Sequence, residues 1–471
     1  MEKQDDKKLG LSLLVALGVG SMIGGGIFNS PTDLIGEANP QAAILAWIIG
    51  GVGVIFLALV FQLLANKRPE LKGGIFTYAK EGFGDFVGFN SAWGYWLSAW
   101  LGNVAFFILI FKTFNSLVGQ MSPIITFIIA SALLWVLHYI QTTGVKNAGI
   151  VNGIATIAKI IPLLLVIIFG IAIFNCGTFN VPNWKTILAA TGHPTTLLAQ
   201  INGAMGIILW CFIGVEAATV LSEKAKSQKI VGTATVISLL ATLVIYMLVS
   251  VSAMGAIGAK ALAGADTPLA TVLSSSAIGS YGAVIVKVGL IVSLIGCLIS
   301  WIMLAAEIPY IAAKGGTMPT WFEKENKNGT PINSLILTDV LTQIFLLSIL
   351  LPALQSAYNN IFLIATTTIL VPYLFSAMFA VKVSIQNKLG LKDIIVSLIA
   401  CIYSVYVIYA VGLKYLGTAV VMYAIGIIVY IIAKKEKQKK ITIAEKIAIV
   451  VMVIFAIAIV AMLAMGKLSL Q

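Results

Sequence analysis

Five charged side chains fall inside long apolar stretches of this 471-residue sequence: Lys159, Glu216, Lys287, Glu307 and Asp339. A charge at the centre of a bilayer costs about 2.5–3.5 kcal/mol or more, so each needs a partner or a purpose. Lys287 and Asp339 lie within a few residues of their segment ends, where snorkelling to the interface suffices. Lys159 stands deeper, in Ile157-Ala158-Lys159-Ile160-Ile161-Pro162. A buried lysine can lose its proton at accessible pH, which suits a coupling site. It serves equally as a fixed cation that neutralises exposed carbonyls. Glu216 suits a proton-sensitive or cation-sensing gate, or a carboxylate capping freed amides. Glu307 follows Trp301 by six residues, about 9 Å of helix. It is placed to attract a cationic side chain or to pair with a lysine.

The backbone supplies a second kind of chemistry. Leu9 to Ile35 is long enough to cross a bilayer, yet its middle reads Gly20-Ser21-Met22-Ile23-Gly24-Gly25-Gly26-Ile27-Phe28. Each glycine weakens a helix by roughly 1 kcal/mol relative to alanine. Non-helical backbone at membrane depth is tolerated only where it is buried or lines a cavity, and there its amides and carbonyls can grip a substrate. Close helix packing through small residues is the alternative. Five spans later, residues 197–221 carry Trp210-Cys211-Phe212-Ile213-Gly214-Val215-Glu216, a second glycine break with a carboxylate beside it. Trp210 stands at this break and Trp301 at mid-span. A tryptophan face stacks on an ammonium or guanidinium group for roughly 0.5–2 kcal/mol, although packing against a neighbouring helix also accounts for both. Trp93, Trp96 and Trp100 suit an interfacial belt.

The elements that must hold these groups are membrane helices. The chain is 59% hydrophobic and 10% charged, with mean hydropathy +1.02, which excludes an ordinary soluble domain. Thirteen spans are expected: 9–37, 41–65, 86–112, 122–140, 148–174, 197–221, 230–256, 280–312, 334–352, 358–381, 393–413, 416–433 and 447–466. The first is too long for a signal-peptide core and lacks a small-residue cleavage site, so it is expected to be retained. With the N-terminus cytoplasmic, 23 Lys and Arg fall inside and five outside, which fixes the orientation and puts the C-terminus outside. The net charge of +12 is then a topology signal, not a nucleic-acid site. Cys176, Cys211, Cys297 and Cys401 are scattered, and His138 and His193 fall near segment ends. Neither a disulfide framework, a metal site nor a histidine centre is implied. The whole chain, 1–471, reads as one membrane domain. Matching breaks in two groups of five spans point to inverted repeats at about 9–174 and 197–381, with peripheral helices at about 393–466.

The motifs Gly24-Gly25-Gly26-Ile27-Phe28, Tyr95-Trp96-Leu97-Ser98-Ala99-Trp100-Leu101-Gly102-Asn103, Trp210-Cys211-Phe212-Ile213-Gly214-Val215-Glu216, Ser300-Trp301 and Gly329-Thr330-Pro331 resemble those of the amino acid–polyamine–organocation superfamily. Within it the chain is most similar to the basic amino acid/polyamine antiporters. Ala306-Glu307-Ile308-Pro309-Tyr310-Ile311-Ala312-Ala313-Lys314 and the thirteenth span resemble the arginine/ornithine exchangers. The resemblance implies an all-α, LeuT-like 5+5 fold with helices 1 and 6 discontinuous, working by alternating access. It implies a substrate carboxylate on the amides of Gly24, Gly25 and Gly26, and an α-amino group on carbonyls near Ile23 and Trp210. Trp210 would close over the site and Trp301 would stack on the substrate. Ser98, Asn103 and Glu307 would be polar contacts, and one of Thr366, Thr367 and Thr368 would complete the pocket. Tyr95, Glu216 and Lys159 would act in gating or coupling. The arginine/agmatine exchangers carry serine at Gly25 and lack the lysine at Lys159, so proton-coupled symport, or exchange of another amino acid such as lysine or histidine, stands as the alternative. The expected partners are arginine, ornithine and the lipid bilayer, with a homodimer compatible; no cofactor, metal or nucleic acid is expected. A membrane enzyme is disfavoured because no nucleophile–base pair is visible, and a channel because no selectivity-filter ring is.

Overall fold

The structure, a computed structural model, describes residues 10–71, 74–143, 148–216, 225–350 and 354–467. Among these no extended strand forms, and Ile187 and Pro194 pair as an isolated bridge; the architecture is helical. Among the described residues ten helices are long and apolar enough to cross a membrane, or eleven when a bent pair at the N-terminus is counted as one span. The spans expected at 148–174 and 197–221 correspond to two shorter apolar stretches, Ala158–Ala172 and Leu197–Phe212.

The bent pair is formed by α1 (Leu11–Met22) and α2 (Gly25–Glu37), which meet at 42°. Ile23 (φ −71°, ψ 90°) and Gly24 (φ −130°, ψ −152°) are extended and part the two helices. The break falls inside the expected glycine run. Its physical cause is the weak helix propensity of consecutive glycines together with the alternative partners that surrounding helices offer to the freed backbone groups.

Helix α3 (Pro40–Lys67) starts on a proline, which loses no helical hydrogen bond at that position. Gly50 and Gly51 let it lie close to α8 (Leu197–Phe212) and α9 (Gln228–Ala256). A Cβ there would fall 2.6 Å from Ile208 and 2.8 Å from Leu243. Helix α5 (Asp85–Val118) is 34 residues long and buried along most of its length. It packs along α11 (Gly279–Lys314) and α13 (Leu354–Gln386). Near the C-terminus, α14 (Leu391–Val411), α15 (Leu413–Glu436) and α16 (Ile443–Ala464) flank this core, and the last helix is almost wholly unburied. Its Ile447, Val450, Ile454, Phe455 and Ile457 are exposed.

Candidate functional site

The break between α1 and α2 frees the last carbonyls of one helix and the first amides of the next. Most of the carbonyls are accounted for from outside the helix. The Lys159 ammonium donates to the Gly20 carbonyl at 2.6 Å, and the Tyr246 hydroxyl donates to the Met22 carbonyl at 2.6 Å. The Cys297 thiol lies 3.8 Å from the Ile23 carbonyl. Lys159 is 1% exposed, and its charge faces the negative end of α1. The amide end of α2 differs: no side chain caps it. Its first residues, Gly24, Gly25 and Gly26, open on a cavity.

That cavity is walled by the α1–α2 break, by the end of α8 and by α5 and α11. Ser21, Met22 and the three glycines form one side, Ser98, Gly102 and Phe106 a second, Trp210 and Ile213 a third, and Trp301 the last. Ser98, Gly102 and Phe106 share a stripe because they are spaced by four on α5. Glycine is required by proximity at Gly26, where a Cβ would stand 3.1 Å from both Cys211 Sγ and Trp210 Cδ1. The Trp210 ring sits over Gly102 and lies 5.9 Å from Phe106 and 5.7 Å from Phe362, centre to centre. The cavity volume is only about 20 Å³, which fits a water or two. A larger ligand needs these rings to move apart.

The α1–α2 break touches the turn that follows α8. Helix α8 ends at Phe212, and Ile213–Glu216 continue as turns. Gly214 has φ +106°, and a Cβ on it would fall 2.9 Å from the Ser21 carbonyl oxygen. The Ser21 hydroxyl in turn reaches the Gly214 carbonyl at 2.9 Å and the Gly18 carbonyl at 2.8 Å. Glu216 is fully buried behind this contact. Its Oε2 accepts from the Gly214 amide at 3.1 Å and the Tyr373 hydroxyl at 2.6 Å, and Tyr95 lies against the same carboxylate. The segment expected to continue span 6, residues 217–224, lies outside the described residues.

Of the residues singled out in the sequence, Gly24, Gly25, Gly26, Ser98, Trp210 and Trp301 converge on one cavity. Ile23 adjoins it through its backbone. Tyr95 and Glu216 form a second cluster, and Lys159 sits on α1. Asn103 is fully buried beside Gly102 but is not on the cavity wall, and neither is half-buried Glu307. Thr366, Thr367 and Thr368 bond carbonyls of their own helix, at Phe362, Leu363 and Ala365; α13 meets Trp210 through Phe362 instead. Asp339 does not snorkel: it is buried and lies 2.7 Å from the Nδ1 of His138, on α6 (Pro123–Thr142). The carboxylate gains more from a partner within reach than from stretching to an interface its short side chain cannot attain. Lys287 does reach outward, to the Ser116 carbonyl at 3.0 Å. Sequence reasoning missed Ser21, Gly102, Phe106, Tyr246 and Tyr373. The four-residue spacing on α5 signals Gly102 and Phe106 once Ser98 is chosen; the tyrosines carry no local signal.

The family model described as amino acid permease matches residues 9–433. The chain belongs to the amino acid permease family. The permease is similar to an arginine/ornithine antiporter of Pseudomonas aeruginosa, 39% identical over 450 residues, which cover 93% of each protein. A putative arginine/ornithine antiporter of Escherichia coli is 38% identical, over 91% of this chain and 93% of that protein. An arginine/agmatine antiporter of Chlamydia felis is 37% identical over 93% of each. This permease is a multi-pass membrane transporter, not an enzyme.

Proposed function

We propose that this permease exchanges arginine for ornithine across the cytoplasmic membrane by alternating access. The observation that carries the reading is the uncapped, three-glycine amide end of α2 opening on a cavity between Trp210 and Trp301. Bare amides at the positive end of a helix suit a carboxylate, and the absence of side chains lets a ligand approach the backbone. The α-amino group meets carbonyls near Ile23 and Trp210. Trp301 stacks on the substrate's aliphatic or guanidinium part, Trp210 closes over it, and Ser98 offers a hydroxyl. Asn103 and Glu307 act from behind the wall, reaching the substrate once the rings part. Tyr95 and Glu216 gate, because they hold the Gly214 turn that rests on Ser21. The names of the relatives at 37–39% identity agree with the substrate class.

Arginine and ornithine both carry +1 at neutral pH, so a one-for-one swap is electroneutral and needs no ion. Lys159 supports this as a fixed cation on the Gly20 carbonyl. The second reading, proton-coupled symport, rests on the same residue: a lysine buried against a break carbonyl can act as a proton-operated clamp. The fold that suits either reading is a LeuT-like 5+5 repeat, residues about 9–174 and 197–381, within a single domain 1–471 of thirteen spans. The N-terminus lies in the cytoplasm and the C-terminus outside, and a homodimer is compatible with the exposed apolar faces. Displacement of labelled arginine from the purified protein tests the substrate class. Ornithine displaces it and neutral leucine does not; equal displacement by leucine would remove the cationic preference.

A further inference from the structure

A second cavity lies beside α2, beyond the glycine end. Asn29, Asp266, Thr267 and Lys287 line it, together with apolar residues that include Leu109 and Leu290. Leu109 also separates it from the first cavity, because its Cδ2 stands 3.0 Å from where a Cβ on Gly25 would be. Asn29 follows Gly26 by three residues and Asp33 by seven, so all three share one stripe of α2 rising away from the glycines. Asn29 is 1% exposed. Its amide nitrogen donates to Asp33 at 2.8 Å, while its Oδ1 is buried on the cavity without a hydrogen-bond partner. An acceptor so placed invites an N–H donor. Lys112, on α5, pairs with Asp266 at 3.4 Å and acts electrostatically on Asp33. Glu37 adds a further carboxylate at this end of α2, which is also the negative end of the helix dipole.

Resting on the exchange reading above, we infer that this second cavity is an entry subsite for the cationic side-chain group, guanidinium or ammonium, of the incoming amino acid. The group lies against Asn29 Oδ1 and Asp266, with Asp33 behind Asn29, while the Lys287 ammonium on the same wall is held by the Ser116 carbonyl at 3.0 Å. The Lys112 ammonium is the tethered occupant that holds these carboxylates when no substrate does. One end of α2 thus receives the substrate's carboxylate and the other first receives its cation. Only about 10 Å³ is open here to the centre of a water-sized sphere, so the group enters as Leu109 and α2 part.

The test is the KM for labelled arginine in proteoliposomes, measured from each face separately. Asp33→Asn raises KM roughly tenfold, the effect of one lost charge interaction, from one face only. Lys112→Met removes the resident competitor and lowers KM several-fold from that same face, while Lys112→Arg leaves it near wild type. Unchanged KM in Asp33→Asn would overturn the subsite. A rise in KM in both Asp33→Asn and Lys112→Met would also overturn it, by showing that the cluster serves only to hold the helices. Wild-type protein that binds arginine and exchanges it, beside variants without these shifts, removes the entry subsite alone. Wild type that binds no cationic amino acid overturns both it and the reading beneath it.

Discussion

At the scale of single residues, the glycines of the break are defined by what a side chain would strike. Gly26→Ala places its methyl 3.1 Å from Trp210 Cδ1 and 3.2 Å from the Cys211 backbone. The backbone cannot yield as a flexible side chain would, so α2 and α8 must separate. Transport falls by at least tenfold, read as initial exchange rate at matched protein density. A rate within twofold of wild type would show that α2 does not approach α8 this closely in the working cycle. Trp301→Ala removes the wall that faces the glycines across the cavity. Arginine affinity drops roughly 5- to 30-fold, the range of about 1–2 kcal/mol for a desolvated cation–π contact. Unchanged affinity by calorimetry would take Trp301 out of the substrate's reach. These glycines and tryptophans were legible in the sequence because residue type alone marks them in an apolar run. Tyr246 and Tyr373 were not, since each acts on a break more than 150 positions away, and nothing in a local window records that.

At the scale of elements, the contact of the α1–α2 break with the turn that follows α8 is the central mechanical feature. Each break would leave helix-end groups unpaired in an apolar surrounding. Here the Ser21 hydroxyl donates to the Gly214 carbonyl, and the Glu216 carboxylate accepts from the Gly214 amide and holds the turn from behind. Gly214 has a conformation that costs an L-residue about 1–2 kcal/mol, before any clash. Gly214→Ala adds the overlap with the Ser21 carbonyl, so the thermal midpoint of the purified protein drops by several degrees and exchange is impaired. A midpoint equal to wild type would mean that the turn relaxes without loss and does not tie the segments. The first break was readable from three adjacent glycines. Its position at Ile23–Gly24 was not, because the surrounding donors Lys159, Tyr246 and Cys297 decide which carbonyls are freed. Asp339 illustrates the same limit: its distance from a segment end suggested snorkelling, while the structure pairs it with His138 of another helix.

At the scale of the whole molecule, helix α5 collects one wall of the site along a four-residue stripe, and α11 brings Trp301 opposite. The cavity they enclose is too small for an amino acid, so binding and release both require rigid elements to part, which is the requirement of alternating access. Membrane character was legible, and so were several helix boundaries: the span expected at 280–312 forms a helix at Gly279–Lys314, and that at 122–140 one at Pro123–Thr142, whereas that at 86–112 runs on to Val118. Hydropathy alone decides such segments. The pairing of distant helices around the site was legible only through the resemblance to known transporters.

The most direct measurement is uptake of labelled arginine into proteoliposomes preloaded with ornithine or left empty, with no ion gradient. Uptake confined to the ornithine-loaded vesicles, and insensitive to an imposed membrane potential, is the predicted result of an electroneutral one-for-one swap. Uptake that ignores internal ornithine but follows an imposed proton gradient, and is lost in Lys159→Ala, would contradict exchange and make the protein a symporter.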